Sequence, residues 1–383
     1  MTKEQAPETI AATYGVATDA AFGAVAPPIY LTSTFTFEGF EQPRELDYGR
    51  AGNPTRAMLA EALARLEHGA GAVITASGMA AVDLLLAQID SDDLVLAPHD
   101  CYGGTRRLLL ARAAKRQFRV TFIDQSDGDA LAVAFSDKPA LVLVETPSNP
   151  LMRVVDIRGI CALAKAAGAR VAVDNTFLSP ALQRPLTLGA DYVIHSTTKY
   201  LNGHSDVIGG AVITADADEY LKLAVWANVV GVTGAPFDAW LTLRGLRTLF
   251  PRIERQQRTA GMIAKYLEQH ARVCAVHYPG LASHPGHVIA TSQQHGFGAM
   301  LSFELEGGVE AVGRFITAIG TFTLAESLGG VESLISHPAT MTHADMGVEA
   351  RQMAGINDGL LRLSIGLEHL DDLIAGLEKG FGA

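Results

Sequence analysis

"ADYVIHSTTKYLNGHSD", residues 190–206, decides how the rest of the chain is read. An apolar run, Tyr192 to Ile194, ends in His195, Ser196, Thr197 and Thr198, and a single lysine, Lys199, follows. Similar runs recur upstream: "AVITAS" (72–77), "DLVLAP" (93–98), "RVTFID" (119–124), "ALVLVETPS" (140–148) and "RVAVDNTF" (170–177). Helical patterns separate them, among them "GMAAVDLLLAQI" (78–89), "CYGGTRRLLLARAAKR" (101–116) and "DIRGICALAKAAG" (156–168). Continuous Val/Ile/Leu runs joined by helices predict a mostly parallel, seven-stranded-type α/β sheet covered by helices on both faces. In such sheets ligands bind at the carboxyl ends of the strands, so the residues that close the strands are the ones to inspect.

The flanks read differently. Residues 1–57 form an irregular arm: "VAPPIYLTSTFTF" (25–37) opens on two prolines, and "DYGRAGNPTR" (47–56) is loop-like. Residues 58–245 carry the α/β pattern. From 246 to 383 the texture changes to a smaller α+β domain. There "RIERQQRTAGMIAKYLEQH" (252–270) is an amphipathic helix with Ile253, Gln257, Ala260, Ile263, Ala264 and Leu267 along one side. "AMLSFELEG" (299–307) and "LLRLSIG" (360–366) alternate like antiparallel strands.

The 383 residues are 48% hydrophobic with a formal charge of -11, a length that suggests two packed domains and a charge that argues against nucleic acid and anionic membranes as partners. No apolar run reaches the ~20 residues of a membrane span, and the N-terminus lacks a signal-peptide core. Cys101, Cys161 and Cys274 have no CxxC spacing, which fits a reducing cytoplasm, and the twelve histidines form no recognised metal spacing.

Lys199 is the first candidate. Desolvation lowers an amine's pKa and frees it to attack a carbonyl, and Ser196 and Thr198 flank it with hydroxyls suited to an anion. The plain alternative is a surface lysine opening the next helix. Asp174 closes "RVAVD", where a carboxylate needs either a cation or, more simply, a turn to cap through Asn175 and Thr176. In "TASGMAA" (75–81), the Gly78 and Met79 amides at a helix start can bind phosphate, although strand-to-helix turns often carry glycine. Tyr102 can stack on a planar ring or merely pack on its own loop. Arg362 shares a face with Ser364 rather than with Leu361 and Leu363, and so either grips a carboxylate or faces solvent. Anion cradle, amine, carboxylate, aromatic and arginine together point to an amino-acid enzyme that uses pyridoxal phosphate. A cofactor-free, aldolase-type lysine enzyme would need no phosphate cradle, and an idle cofactor-binding relative would not need the full set.

"HSTTKYLNGHSD" (195–206), "VDNTFLSPALQRPLTLGAD" (173–191), "ETPSNPLMRVVDI" (145–157), "TASGMAA", "YGRAGNPTR" (48–56) and "FTLAESLGGVESLISHPATMTHA" (322–344) resemble the Cys/Met-metabolism family of pyridoxal-phosphate enzymes over nearly the whole chain. The resemblance implies the fold-type I architecture and a cytoplasmic homotetramer, a dimer of dimers with shared active sites. It implies Lys199 as the covalent seat of pyridoxal 5'-phosphate, Asp174 as partner of its ring nitrogen and Tyr102 stacked on the ring. Gly78, Met79, Ser196 and Thr198 would hold the phosphate, with Tyr48 and Arg50 reaching it from the neighbouring subunit. Arg362, Asn149 and Ser327 would hold the substrate carboxylate, with Glu326 and Arg107 toward its distal end.

"APHDCYGGT" (97–105), "ANVVGVTGAPFDAWLTLRGLRTL" (227–249) and "GFGAMLSFEL" (296–305) resemble the bacterial members that perform γ-replacement. That reaction is transsulfuration toward methionine: an O-acyl-L-homoserine, O-succinyl foremost, joins L-cysteine to give L-cystathionine. Glu326 and Leu328 favour γ-chemistry over β-elimination. The alternatives are γ-elimination of cystathionine and O-acylhomoserine sulfhydrylation. Ala51 stands where similar sequences carry a second arginine after "DYGR".

Overall fold

The computed structural model describes residues 5–383; residues 1–4 of the expected arm lie outside the described residues. Strands follow in chain order as β1 Gly71–Thr75, β2 Leu94–Pro98, β3 Arg119–Ile123, β4 Leu141–Glu145, β5 Arg170–Asp174, β6 Tyr192–His195 and β7 Gly210–Thr214. A smaller, C-terminal sheet holds β8 Val273–His277, β9 Met300–Leu305, β10 Thr323–Leu324, β11 Leu334–Ser336 and β12 Leu360–Ser364. The chain divides into two units, Met1–Ile89 with Ala172–Phe250, and Asp90–Val171 with Pro251–Ala383. The fold is α/β with a mostly parallel larger sheet.

In the first unit the strands run β1-β7-β6-β5. β5 and β6 are parallel, and β7 is antiparallel to both of its neighbours. β1, β6 and β7 are buried at every residue, as strands covered on both faces must be. β7 is not among the runs picked out from sequence. It repeats the pentapeptide of β1, Gly-Ala-Val-Ile-Thr, and the two pair with Val73 opposite Val212. Gly210 is required there, because a Cβ would lie 2.2 Å from the Ser77 carbonyl oxygen.

The arm is less irregular than expected. Pro7–Thr13 is a short helix, and the segment beyond it carries two isolated bridges, Thr34 to Tyr48 and Gly39 to Gln42. The loop ends earlier than predicted, because Pro54 opens a helix that runs to Glu67. Asn53 caps it by accepting from Arg56 N–H at 3.0 Å, and proline at the first helical position has the right φ and no amide to satisfy.

In the second unit β4-β2-β3 are parallel. The smaller sheet runs β10-β11-β12-β9-β8 and is antiparallel except for the two-residue β10–β11 pair. β12 is buried at all five residues, so its alternation does not separate core from solvent. The helix Leu249–Glu268 buries Ile253, Ala260, Ile263, Ala264 and Leu267 as expected. Gln256 rather than Gln257 is the fully buried glutamine of this helix: its Nε2 donates to the Gly330 and Ile365 carbonyls at 2.7 and 3.0 Å, partners no periodicity reveals.

Candidate active site

In the first unit three strand or helix ends carry the candidates. β6 delivers Ser196, and Lys199 lies in a turn, with Lys199 N–H donating to Ser196 O at 3.2 Å. No helix follows; the chain turns on to β7. Lys199 is half-buried. The helix Gly78–Leu86 starts against the same residues. Ser77 caps it, accepting from Ala80 N–H at 3.0 Å, and leaves the Gly78 and Met79 amides as first-turn donors without an intrahelical acceptor. A Cβ on Gly78 would sit 2.9 Å from Ser196 Cβ and 3.2 Å from its Oγ. Glycine therefore keeps open the space between the two phosphate-seat candidates.

Thr198 is more committed than the sequence implied. Its hydroxyl donates to Gly209 O at 3.2 Å and accepts from Gly209 N–H at 3.0 Å. It can donate to a phosphate only by giving up the longer bond.

Asp174 closes β5 as the residue of its last four that is not fully buried. The turn-capping reading has its bond in the structure. Oδ1 accepts from Thr176 N–H at 3.0 Å, the turn-capping bond. Burial pushes the carboxyl up from its ordinary range, while Thr176's hydroxyl and amide and the nearby His195 pull it down. A carboxylate left with that desolvation is receptive to a ligand cation.

Behind these residues lies a buried network absent from the sequence reading. Glu67 Oε1 meets His195 Nε2 at 2.6 Å and accepts from Asn175 Nδ2 at 2.9 Å; Gln183 Nε2 donates to Asn175 Oδ1 at 3.1 Å. It fixes the neighbours of Asp174 and Ser196. Thr176 works alongside it, its hydroxyl accepting from Ser196 N–H at 2.9 Å.

Tyr48 and Arg50 are exposed, with the guanidinium 5.5 Å from the Tyr48 ring centre and Arg50 Nε donating to Asn228 at 3.0 Å. Buried Arg56 presents them by donating to the Gly49 and Arg50 carbonyls at 2.8 and 3.0 Å.

The second unit, taken by itself, carries the other candidates. Arg362 is 3% exposed, which removes the solvent-facing reading. Its Nη1 donates to Asn149 Oδ1 at 2.9 Å and its Nη2 to the Ser327 carbonyl at 3.0 Å. Ser327 holds φ +96°, strained backbone for a side-chain-bearing residue, of a kind concentrated at functional sites. His343 steadies Asn149: its Nε2 bonds Asn149 O at 3.1 Å and its Nδ1 bonds the Thr342 hydroxyl at 2.9 Å. Burial first, then the charge of Arg362, pushes His343 down to about 4, so the ring is neutral near pH 7.

Tyr102 stands at the N-cap position of the helix Gly103–Ala114, without a side-chain capping bond, and is 41% exposed. Its N–H donates to Glu145, which closes β4 and which the sequence reading passed over. The signal was available: Glu145 ends an apolar strand as Asp174 does. Arg107 and Glu326 are exposed. No disulfide joins the three cysteines, and Cys101 and Cys161 are buried. Among the described residues no cluster of metal-ligating side chains occurs, and no helix is long and apolar enough to cross a membrane.

These groups fit pyridoxal phosphate. Helix amides and Ser196 suit its phosphate, Lys199 its aldehyde, and the desolvated carboxyl of Asp174 its ring nitrogen.

Comparison with known proteins gives the lineage. The chain is 57% identical over 384 residues to the cystathionine gamma-synthase of Escherichia coli (strain K12), covering 100% of this chain and 99% of that one. It is 46% identical over 365 residues to the cystathionine beta-lyase of Lactococcus lactis subsp. cremoris (strain MG1363), covering 95% and 96%. The crystal structure of cystathionine gamma synthase from Xanthomonas oryzae pv. oryzae in complex with cystathionine matches with a TM-score of 0.98 at 56% identity, over 99% of this chain and 98% of that one. The sequence profile of the Cys/Met metabolism PLP-dependent enzymes spans residues 8–382, and the chain belongs to that family.

Proposed function

We propose that the chain is a transferase that performs γ-replacement, joining an O-acyl-L-homoserine to L-cysteine to give L-cystathionine. The observation that carries this reading is the full-length identity of 57% to a γ-synthase, against 46% to a β-lyase. The Cγ–O bond breaks, the acyl group leaves as a carboxylate, and the Cγ–S bond forms as the thiol gives up its proton.

Bound pyridoxal phosphate supplies the electron sink that makes protons on the α- and β-carbons removable. The chain's residues do the rest. Lys199 Nζ takes the α-proton, serves the β-carbon and returns the protons, which one flexible amine can do in turn. Asp174 keeps positive charge at the ring nitrogen. Gly78, Met79, Ser196 and Thr198 hold the phosphate, and Tyr102 stacks on the ring and assists proton transfer. Arg362, Asn149 and Ser327 hold the α-carboxylate, and Arg107 and Glu326 meet the distal part of the substrate.

The functional division follows the sequence: arm 1–57, cofactor-binding region 58–245 and C-terminal region 246–383. In this reading the arm, with Tyr48 and Arg50, serves a neighbouring subunit of a cytoplasmic homotetramer. The exposure of Phe22, Leu31 and Phe40, at 94, 69 and 90%, supports a partner covering it.

One second reading is γ-elimination of cystathionine, which shares the Glu326–Ser327 region and the same cofactor set, and Ala51 weakens the claim on a distal succinyl carboxylate. Mass spectrometry on two reactions separates them. Rapid cystathionine formation from O-succinylhomoserine and cysteine, with little loss of cystathionine alone, supports the synthase. Cystathionine split to cysteine, 2-oxobutyrate and ammonia, with slow synthesis, replaces it with the lyase.

A further inference from the structure

Glu145 stands at the end of Leu-Val-Leu-Val in β4. Its two carboxylate oxygens serve two different backbone amides. Oε2 accepts from Tyr102 N–H at 2.8 Å, and Oε1 accepts from Asn149 N–H at 3.1 Å. Tyr102 lies 43 residues away along the chain and Asn149 only four. Asn149 then passes the constraint on, since its Oδ1 receives Arg362 Nη1 at 2.9 Å.

We infer that Glu145 is a positioning residue that sets the ring-stacking Tyr102 and the carboxylate-gripping Asn149–Arg362 pair in one register through a single carboxylate. The inference rests on the roles proposed above for Tyr102 and Arg362. Both bonds are charge-assisted, the stronger kind of hydrogen bond. An ionised carboxylate accepts at both oxygens, whereas an amide offers one acceptor and one N–H donor that would oppose the second backbone N–H. The two roles therefore depend on one group, and removing it disturbs both together.

The test uses the holoenzyme and two binding readouts. The first is the dissociation constant of pyridoxal phosphate. The second is the ratio of affinities for L-norvaline and n-butylamine, which differ only in the carboxylate, titrated on the cofactor's visible band. Glu145→Ala is expected to weaken cofactor binding by about tenfold or more. It is expected to lower the norvaline preference by a similar factor, with butylamine affinity within about twofold of the parent. General loosening of the fold would weaken both amines equally, and that result overturns the inference, as does retention of both parent values. If the alanine variant does not fold, Glu145→Gln decides: at least one readout must fall about tenfold, and parent values in both overturn the inference. Arg362→Ala runs in parallel. If it leaves the norvaline preference unchanged, the carboxylate-clamp reading itself fails; if it abolishes that preference while the Glu145 variants do not, only the role of Glu145 is lost.

Discussion

Asp174→Asn separates charge from geometry at the end of β5. Asparagine Oδ1 can accept the same Thr176 N–H that Asp174 Oδ1 takes at 3.0 Å, so the turn and the strand end stay as they are. What is lost is the charge. A carboxylate and a ring cation about 4 Å apart, at an effective dielectric of about 20, attract by roughly 4 kcal/mol. If that attraction is felt in the rate-limiting proton transfer, turnover falls by about a thousandfold. Without cofactor the sign reverses. Burial raises the Asp174 carboxyl, so the ionised form is disfavoured in the fold, and a neutral amide escapes that penalty. The cofactor-free variant is therefore expected to be at least as stable at pH 7 as its parent. The assays are γ-replacement turnover by mass spectrometry and thermal unfolding of the cofactor-free protein. Turnover within about tenfold of the parent, or cofactor-free stability lower by more than about 2 kcal/mol, would refute the reasoning, the second by showing that the side chain mainly serves the turn.

Three further outcomes are expected. Gly78→Ala places a methyl group 2.9 Å from Ser196 Cβ and 3.1 Å from its Cα, and should weaken pyridoxal phosphate binding at least tenfold by fluorescence titration, with about 1–3 kcal/mol lost from overpacking. Lys199→Ala should bring turnover to background, checked by mass spectrometry at high enzyme concentration. His343 has a folded-state pKa lowered from 6.5 to about 4. Above pH 6.5 neither state binds its proton. Between 6.5 and about 4 only the unfolded chain does, so stability is lost as the pH is lowered through that window, by up to about 3 kcal/mol, and then levels. His343→Gln should flatten the corresponding part of the pH–stability curve measured by denaturant titration.

Much of this molecule was legible because apolar strand runs announce themselves and polar groups ending them are costly unless used. Tyr192–His195, Arg170–Asp174 and Leu141–Glu145 could each be found as a strand from local composition. Lys199 and Asp174 followed as strand-end groups, and long motifs such as "HSTTKYLNGHSD" carried the family. Tertiary structure alone decided the rest, because the deciding contacts join residues that no period relates. Arg362 alternates with leucines as an exposed residue would, yet β12 is buried throughout and the guanidinium rests on Asn149 and the Ser327 carbonyl. β7 hid in a glycine-rich stretch until its pairing with β1 gave it a place. Glu67 and His195 are 128 positions apart and meet at 2.6 Å. Glu145 ends a strand like Asp174, but only the fold brings Tyr102 and Asn149 to its two oxygens. A sequence fixes which groups are available, whereas the partner that satisfies each buried polar atom is chosen by how the chain closes on itself.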